Sequence, residues 1–336
     1  MNHLFDRARA AYLGLAIGDA LGATTEFMMP GEIKARYGVH RKIIGGGWLH
    51  LKAGQVTDDT EMSLALGRAL MVNGDWDLTG IADNFLAWMK SKPVDLGSTC
   101  RRGIRDYMLK GQLETPSNEW DAGNGAAMRM APVALFTLGD DAELARCAIE
   151  QAHLTHNHPL SDAACITVGR MVQQAIQGCS RFDLHAITRD LVAEHGSFRF
   201  NDYRGHSSAY VVDTLQTVFH HLFTTGSFEE CLIQVVNQGG DADTTGAIAG
   251  MIAGAFYGLD AIPARWLKKL NRTVREEVED QAVRLAELSP RAILERQKEK
   301  NDAEKRDDRN RRSRTAAGVH PPQHPDAHQA RSAERD

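Results

Sequence analysis

Two short acidic segments, far apart along the chain, have to be reconciled by any fold this sequence adopts. One reads Thr57-Asp58-Asp59-Thr60-Glu61, the other Gly239-Gly240-Asp241-Ala242-Asp243-Thr244-Thr245-Gly246. Each crowds carboxylates and hydroxyls into a few residues, then opens an apolar helical stretch. Like charges beside a core repel one another and raise the free energy unless a cation offsets them. The simplest reconciliation is that the segments meet in space and share hard divalent cations.

Around them, helical periodicity dominates. Met62, Leu66, Ala69 and Leu70 fall on one helical face, as do Val211, Leu215, Val218, Phe219 and Leu222. Similar patterns mark residues 5–18, 79–90, 99–109, 142–152, 160–177, 183–194, 228–237, 247–258 and 262–287. Strand alternation bounded by hairpin turns is hard to find. The spacing predicts an all-α fold with a single multi-helix domain over residues 1–290. Ala10, Gly14 and Gly18 repeat every fourth position, and so do Gly246, Gly250 and Gly254. A helical glycine costs about 1 kcal/mol relative to alanine, so it is kept where backbones approach closely. These stripes predict two central helices that touch. Asp241, Asp243 and the short apolar length argue against a membrane dimer motif. After residue 290 aliphatic anchors all but vanish, and residues 291–336 read as a charged, disordered tail.

A net charge of -5 supplies no general attraction for nucleic acid, and the body of the chain carries no basic run. Cys100, Cys147, Cys165, Cys179 and Cys231 are odd in number and widely spaced, which fits small core residues in a reducing cytoplasm. Residues Met1–Arg7 do not read as a signal peptide, and no apolar stretch is long enough to span a bilayer. Membrane association would therefore need a partner protein.

Aspartate at a helix start also serves as a cap, so Asp58 and Asp59 alone carry both readings. The second segment shifts the balance. Gly239 and Gly240 allow a tight turn, and a cap needs one oxygen where Asp241, Asp243 and Thr244 offer three. In Gly18-Asp19-Ala20-Leu21-Gly22-Ala23-Thr24-Thr25-Glu26, Asp19 reads as a buried acid bonded to the N–H groups of a neighbouring loop, and Glu26 as a further ligand. Glu26, Asp58, Asp59, Asp241 and Asp243 bring five negative charges, which two divalent cations nearly balance. A set built only of oxygens suits magnesium, manganese or calcium, not zinc or copper. Asp95, before Gly97, reads as a loop acid or a cap. The Asp121–Ala127 segment reads as a turn or as backbone N–H groups offered to an anion. His156 and His158 are too close in sequence to share one metal; a surface or helix-capping role is the commoner one for such histidines, and His158 reads as structural. Tyr210 stacks on a ligand or simply starts a helix.

Those residues carry a resemblance. Gly18-Asp19-Ala20-Leu21-Gly22, Thr57-Asp58-Asp59-Thr60 and Gly239-Gly240-Asp241-Ala242-Asp243-Thr244 resemble the signatures of ADP-ribosylglycohydrolases. Gly45-Gly46-Gly47-Trp48, Pro93–Gly97, Asp121–Arg129, Thr155–Asp162 and Val236–Gly240 resemble the branch that acts on dinitrogenase reductase. The resemblance runs in register from about residue 5 to about residue 288. It implies an all-α fold, two divalent cations (Mn2+ or Mg2+), and hydrolysis of the N-glycosidic bond of ADP-ribosyl-arginine on a protein. Glu26, Thr57, Asp58, Asp59, Asp241, Asp243 and Thr244 would form the metal shell. Asp95, Asn124, Gly125, His156 and Tyr210 would surround the ADP-ribose, with Asp59 or Asp95 moving the proton. The implied partners are ADP-ribosylated dinitrogenase reductase as substrate and a PII-type signalling protein as regulator. Two alternatives stand beside this: an antitoxin-like hydrolase acting on another ADP-ribosylated protein, and a non-enzymatic structural relative, which the complete set of acids opposes.

Overall fold

The computed structural model describes residues 2–205 and 207–316. Among them fifteen α-helices follow in order: α1 (Asn2–Gly22), α2 (Pro30–Tyr37), α3 (Asp58–Asn73), α4 (Leu78–Lys90), α5 (Ser98–Lys110), α6 (Met130–Phe136), α7 (Asp141–His153), α8 (Pro159–Ile176), α9 (Arg181–Glu194), α10 (Val211–Thr224), α11 (Phe228–Val236), α12 (Ala242–Tyr257), α13 (Ala264–Lys269), α14 (Arg272–Leu288) and α15 (Pro290–Ala316). No strand forms among the described residues, which hold only two isolated bridges, Gly46 with Leu51 and Gly123 with Tyr210. The all-α expectation holds.

The chain forms two units, residues 1–292 and 293–336, the second described only as far as residue 316. At the centre of the first unit lie α12 and, from Ala10 onward, α1, buried on all sides rather than along one stripe. Every residue from Ala242 to Ala255 is buried. The two helices run antiparallel at backbone contact. A Cβ on Gly18 would stand 1.9 Å from the Gly246 carbonyl oxygen, and one on Gly250 would stand 2.0 Å from that of Gly14. The glycine stripes are thus the contact itself. This register brings the end of α1 against the start of α12, and with it Asp19 and Glu26 beside Asp241 and Asp243.

The N-terminus of α3 is drawn to the same place by Asp19. Its carboxylate accepts hydrogen bonds from the Thr57 and Thr60 backbone N–H groups at 3.1 and 3.2 Å and from both threonine hydroxyls. This is the buried structural acid that the sequence predicts. The helix starts also aim two macrodipoles at one spot, where their positive ends favour carboxylates.

Some elements depart from expectation. Pro30–Tyr37 is a helix that starts on proline, with Glu32 bonding back to the Met29 N–H at 2.7 Å. Met130–Phe136 is buried at every position, so it has no polar face and no helical period to read. The single run at 262–287 is two helices, with Asn271 capping α14 through the Val274 N–H. Within the charged segment expected after residue 290, the described residues form α15 (Pro290–Ala316). Glu, Lys, Arg, Gln and Ala have a high helix propensity, and residues 297–306 of this helix are all exposed. Residues 317–336 of that tail lie outside the described residues.

Candidate active site

The two acidic segments meet. Thr57 Oγ1 lies 3.2 Å from Asp59 Oδ2 and 3.5 Å from Asp243 Oδ2, while Thr244 Oγ1 donates to Asp59 Oδ2 at 3.3 Å. Neither segment uses its side chains as caps: Thr57 and Asp241 occupy the cap positions of α3 and α12 without a side-chain cap bond. Glu26, Asp58, Asp95, Asn124, Gly125, His156, Asp241, Asp243 and Thr244 line one cleft of about 290 Å³. Thr57 and Asp59 are buried among the same acids, and Tyr210 stands 41% exposed next to the lining residue Ala209.

Three connections hold the walls together. The Gly239–Gly240 turn takes positive φ at both residues (67° and 61°). There it exchanges backbone bonds with the loop after Glu26: Phe27 N–H to Gly240 O at 2.7 Å and Gly240 N–H to Met28 O at 3.0 Å. Gly97 N–H donates to Asp58 Oδ2 at 3.2 Å, which anchors the loop carrying Asp95. Asn124 Nδ2 donates to Asp241 Oδ2 at 2.9 Å and to Thr214 Oγ1 at 3.0 Å. Asn124 therefore braces a carboxylate as well as lining the cleft.

Without a cation, these carboxyls resist ionisation. Burial comes first, then the neighbouring negative charges: Glu26 and Asp58 are each pushed up to about 8. Asp59 and Asp243 are raised well above the usual carboxylate range for the same two reasons. Asp95 is raised by burial and by Asp241. Carboxylate oxygens of Glu26, Asp241 and Asp243 lie within 4.8 Å of one another. Asp59 Oδ1 is buried with no hydrogen-bond partner among the described residues. An orphaned buried acceptor next to three converging oxygens fits a hard cation, which takes oxygen ligands only.

This crowding has a consequence for stability. A carboxyl raised from about 4 in the unfolded chain to about 8 in the folded one contributes stability that is complete below the lower value and is lost as pH rises through the higher. The metal-free protein is therefore expected to lose melting temperature toward alkaline pH. Cations bind the ionised form, so Mn2+ or Mg2+ should raise Tm more at about pH 9 than at about pH 6. Differential scanning fluorimetry at both pH values checks this, and an equal gain would contradict it.

Three features escaped the sequence. Trp48 donates its indole N–H to Glu26 Oε2 at 2.6 Å; the only hint was an aromatic residue after three glycines. Arg129 is fully buried behind the cleft, donating to Gln151 Oε1 at 2.6 Å, Gln151 O at 2.8 Å and Thr155 Oγ1 at 2.8 Å, with the Phe85 ring beneath it. A buried arginine has no sequence signal. Thr155 Oγ1 in turn lies 2.8 Å from His156 Nδ1. With Arg129 donating to the threonine oxygen, the hydroxyl proton is free for Nδ1, which assigns the ring proton to Nε2. Burial, then the charges of Arg129 and Arg102, hold His156 down to about 3, so it is a neutral donor facing Gly123 and Gly125. The third is the pairing of Arg102 with the buried Asp121 at the base of the glycine segment. His158 caps α8 through the Leu160 N–H at 3.0 Å, the structural role expected of it.

The family model for ADP-ribosylglycohydrolases matches residues 1–295. The ADP-ribosyl-[dinitrogen reductase] glycohydrolase of Rhodospirillum rubrum is 58% identical over 284 residues, covering 84% of this chain and 97% of that protein. An ADP-ribosylarginine hydrolase of Serratia proteamaculans is 32% identical, covering 85% and 80%. A solved ADP-ribosylglycohydrolase-related protein complex superposes with a TM-score of 0.76 at 33% identity, covering 86% of this chain and 99% of that one. No described helix is long and apolar enough to cross a membrane.

Proposed function

The chain belongs to the ADP-ribosylglycohydrolase family, and from that premise we propose that it hydrolyses the N-glycosidic bond between ADP-ribose and a protein arginine, with ADP-ribosylated dinitrogenase reductase as its substrate. The observation that carries the chemistry is the convergence of Glu26, Asp58, Asp241 and Asp243 on one cleft, with Asp59 buried among them. The target is supported by the 58% identity to the Rhodospirillum rubrum glycohydrolase.

Breaking the bond builds positive charge at the anomeric carbon, next to a guanidinium that is already cationic. Buried carboxylates favour both. Water oxygen bonds to the anomeric carbon, the carbon–nitrogen bond breaks, and the proton released by water ends on the departing guanidine nitrogen. Asp95 would take and return that proton, a reading supported by its raised pKa and its place in the cleft lining. Asp59 is the second candidate. His156 Nε2–H and the backbone of the Asn124–Gly125 segment offer donors to the pyrophosphate, and Tyr210 stands at the rim for the adenosine. Glu26, Thr57, Asp58, Asp59, Asp241, Asp243 and Thr244 would hold the two divalent cations, Mn2+ or Mg2+. Once bound, these would supply Lewis acidity toward the ribose hydroxyls or water and balance the carboxylates. Regulation by a PII-type signalling protein belongs to the same reading and rests on the resemblance alone.

The test is release of ADP-ribose from modified dinitrogenase reductase, with and without Mn2+, beside an unrelated ADP-ribosyl-arginine protein. Activity on the first, lost after chelation, is the expected result. Preference for the unrelated protein would favour the antitoxin-like alternative, and full activity after chelation would sink the metal shell. Asp95→Asn should keep the fold and the Mn2+-induced Tm gain while lowering kcat by about 10²–10⁴-fold. An unchanged rate removes Asp95 from the reaction.

A further inference from the structure

The loop after α1 and the segment between α2 and α3 carry apolar side chains that the fold leaves uncovered. Phe27 is 64% exposed, Met29 67% and Trp48 50%, and the Phe27 and Trp48 ring centroids lie 5.3 Å apart. Phe27 also holds φ at 60°, a left-handed backbone that is unfavourable for an L-residue with a bulky side chain. Burial of its ring does not offset that cost. Exposed apolar clusters of this kind mark interaction sites. The cluster is continuous with the acidic cleft, since Phe27 lines it and the Trp48 indole is bonded to Glu26.

We propose that Phe27, Met29 and Trp48 form the docking surface for the folded protein that carries the ADP-ribosylated arginine. This rests on the hydrolase reading above and adds to it how the protein part of the substrate is gripped. In that reading the scissile bond lies at the carboxylates, and the nucleotide lies along the wall of Gly123, Gly125 and His156. Phe27 belongs to a different wall, built by the Glu26 loop and the Gly239–Gly240 turn. An arginine side chain spans only about 6–7 Å with ordinary bond lengths. The protein bearing it must therefore press against the rim of the cleft. Trp, Phe and Met are the residue types that anchor protein interfaces, and they do so as exposed knobs that become desolvated on docking. The adenosine is assigned to the Tyr210 side of the rim, and Phe27, Met29 and Trp48 are each more exposed than Tyr210.

The test compares two substrates: ADP-ribosylated dinitrogenase reductase and free ADP-ribosyl-arginine. The Phe27→Asn/Met29→Ser double variant removes the knobs and keeps a residue that tolerates the left-handed backbone. Met29→Glu alone leaves that backbone untouched. Trp48 is left in place because it also holds Glu26. In both variants kcat/KM for the protein should fall roughly tenfold or more beyond any fall for free ADP-ribosyl-arginine, through KM. Equal falls on the two substrates would overturn the proposal, because the cluster would then serve the nucleotide or the fold. No fall on either would overturn it as well. A wild-type protein that hydrolyses neither substrate would instead remove the hydrolase reading, and this inference with it.

Discussion

Gly250→Leu is expected to give no cooperatively folded protein. At that position a Cβ would stand 2.0 Å from the Gly14 carbonyl oxygen and 2.6 Å from its carbon, and both are backbone atoms of a buried helix. No side chain can swing aside to make room. The helices would have to separate, and the opposing stripe would lose its own contacts at Gly246 with Gly18 and Gly254 with Ala10. Overpacking in a core with some freedom to relax costs about 1–3 kcal/mol, and here the cost exceeds that range because the clash is between main chains. Against a total stability of roughly 5–15 kcal/mol, the loss is decisive. Gly31→Ala is the control. That helical glycine has nothing within 4 Å of a built Cβ, so the change should hold or raise stability, by up to about 1 kcal/mol. Soluble yield and thermal melts of the two variants read the contrast. A Gly250→Leu protein that melts like wild type would show that α1 and α12 are not in backbone contact.

The second large effect is on turnover. Asp243→Asn should lower kcat/KM by more than the roughly 10–100-fold that follows loss of a group merely supporting a metal ligand. The same variant should melt higher than wild type when metal-free. Asp243 is buried, and its carboxyl is raised by burial and then by Glu26, Asp59 and Asp241. An amide there removes one member of a repelling group while keeping its shape. The gain in Tm from Mn2+ should shrink or vanish. Activity lost, metal-free stability gained and metal response lost form a combination that a simple packing defect does not produce. A lower metal-free melting temperature would contradict the crowded-carboxylate account.

Much of the candidate site is legible in the sequence, for reasons that differ from residue to residue. Asp58, Asp59, Asp241 and Asp243 stand out because crowded acids at helix starts are costly, and that cost is visible in a string of letters. Asp19 is legible because an acid inside an apolar run needs hydrogen-bond donors, and Thr57 and Thr60 supply them. Helix α6 was not legible, because a segment buried on every side has no polar face to set its period. Trp48 and Arg129 were not legible either. The first acts on a residue 22 positions away and the second on partners 22 and 26 positions away, without a local pattern.

What the sequence by itself determined is what short-range physics encodes. Helical period, small-residue stripes and the clash of neighbouring charges each involve residues within a turn or two of one another. What only the tertiary structure decided is which oxygens face one another, which ring nitrogen of His156 meets the cleft, and which aromatic side chains stay in solvent. Those depend on the antiparallel register of α1 against α12 and on loops carried along with it. Contacts between distant segments are selected by the packing of the whole chain, and no local stretch of residues contains that information.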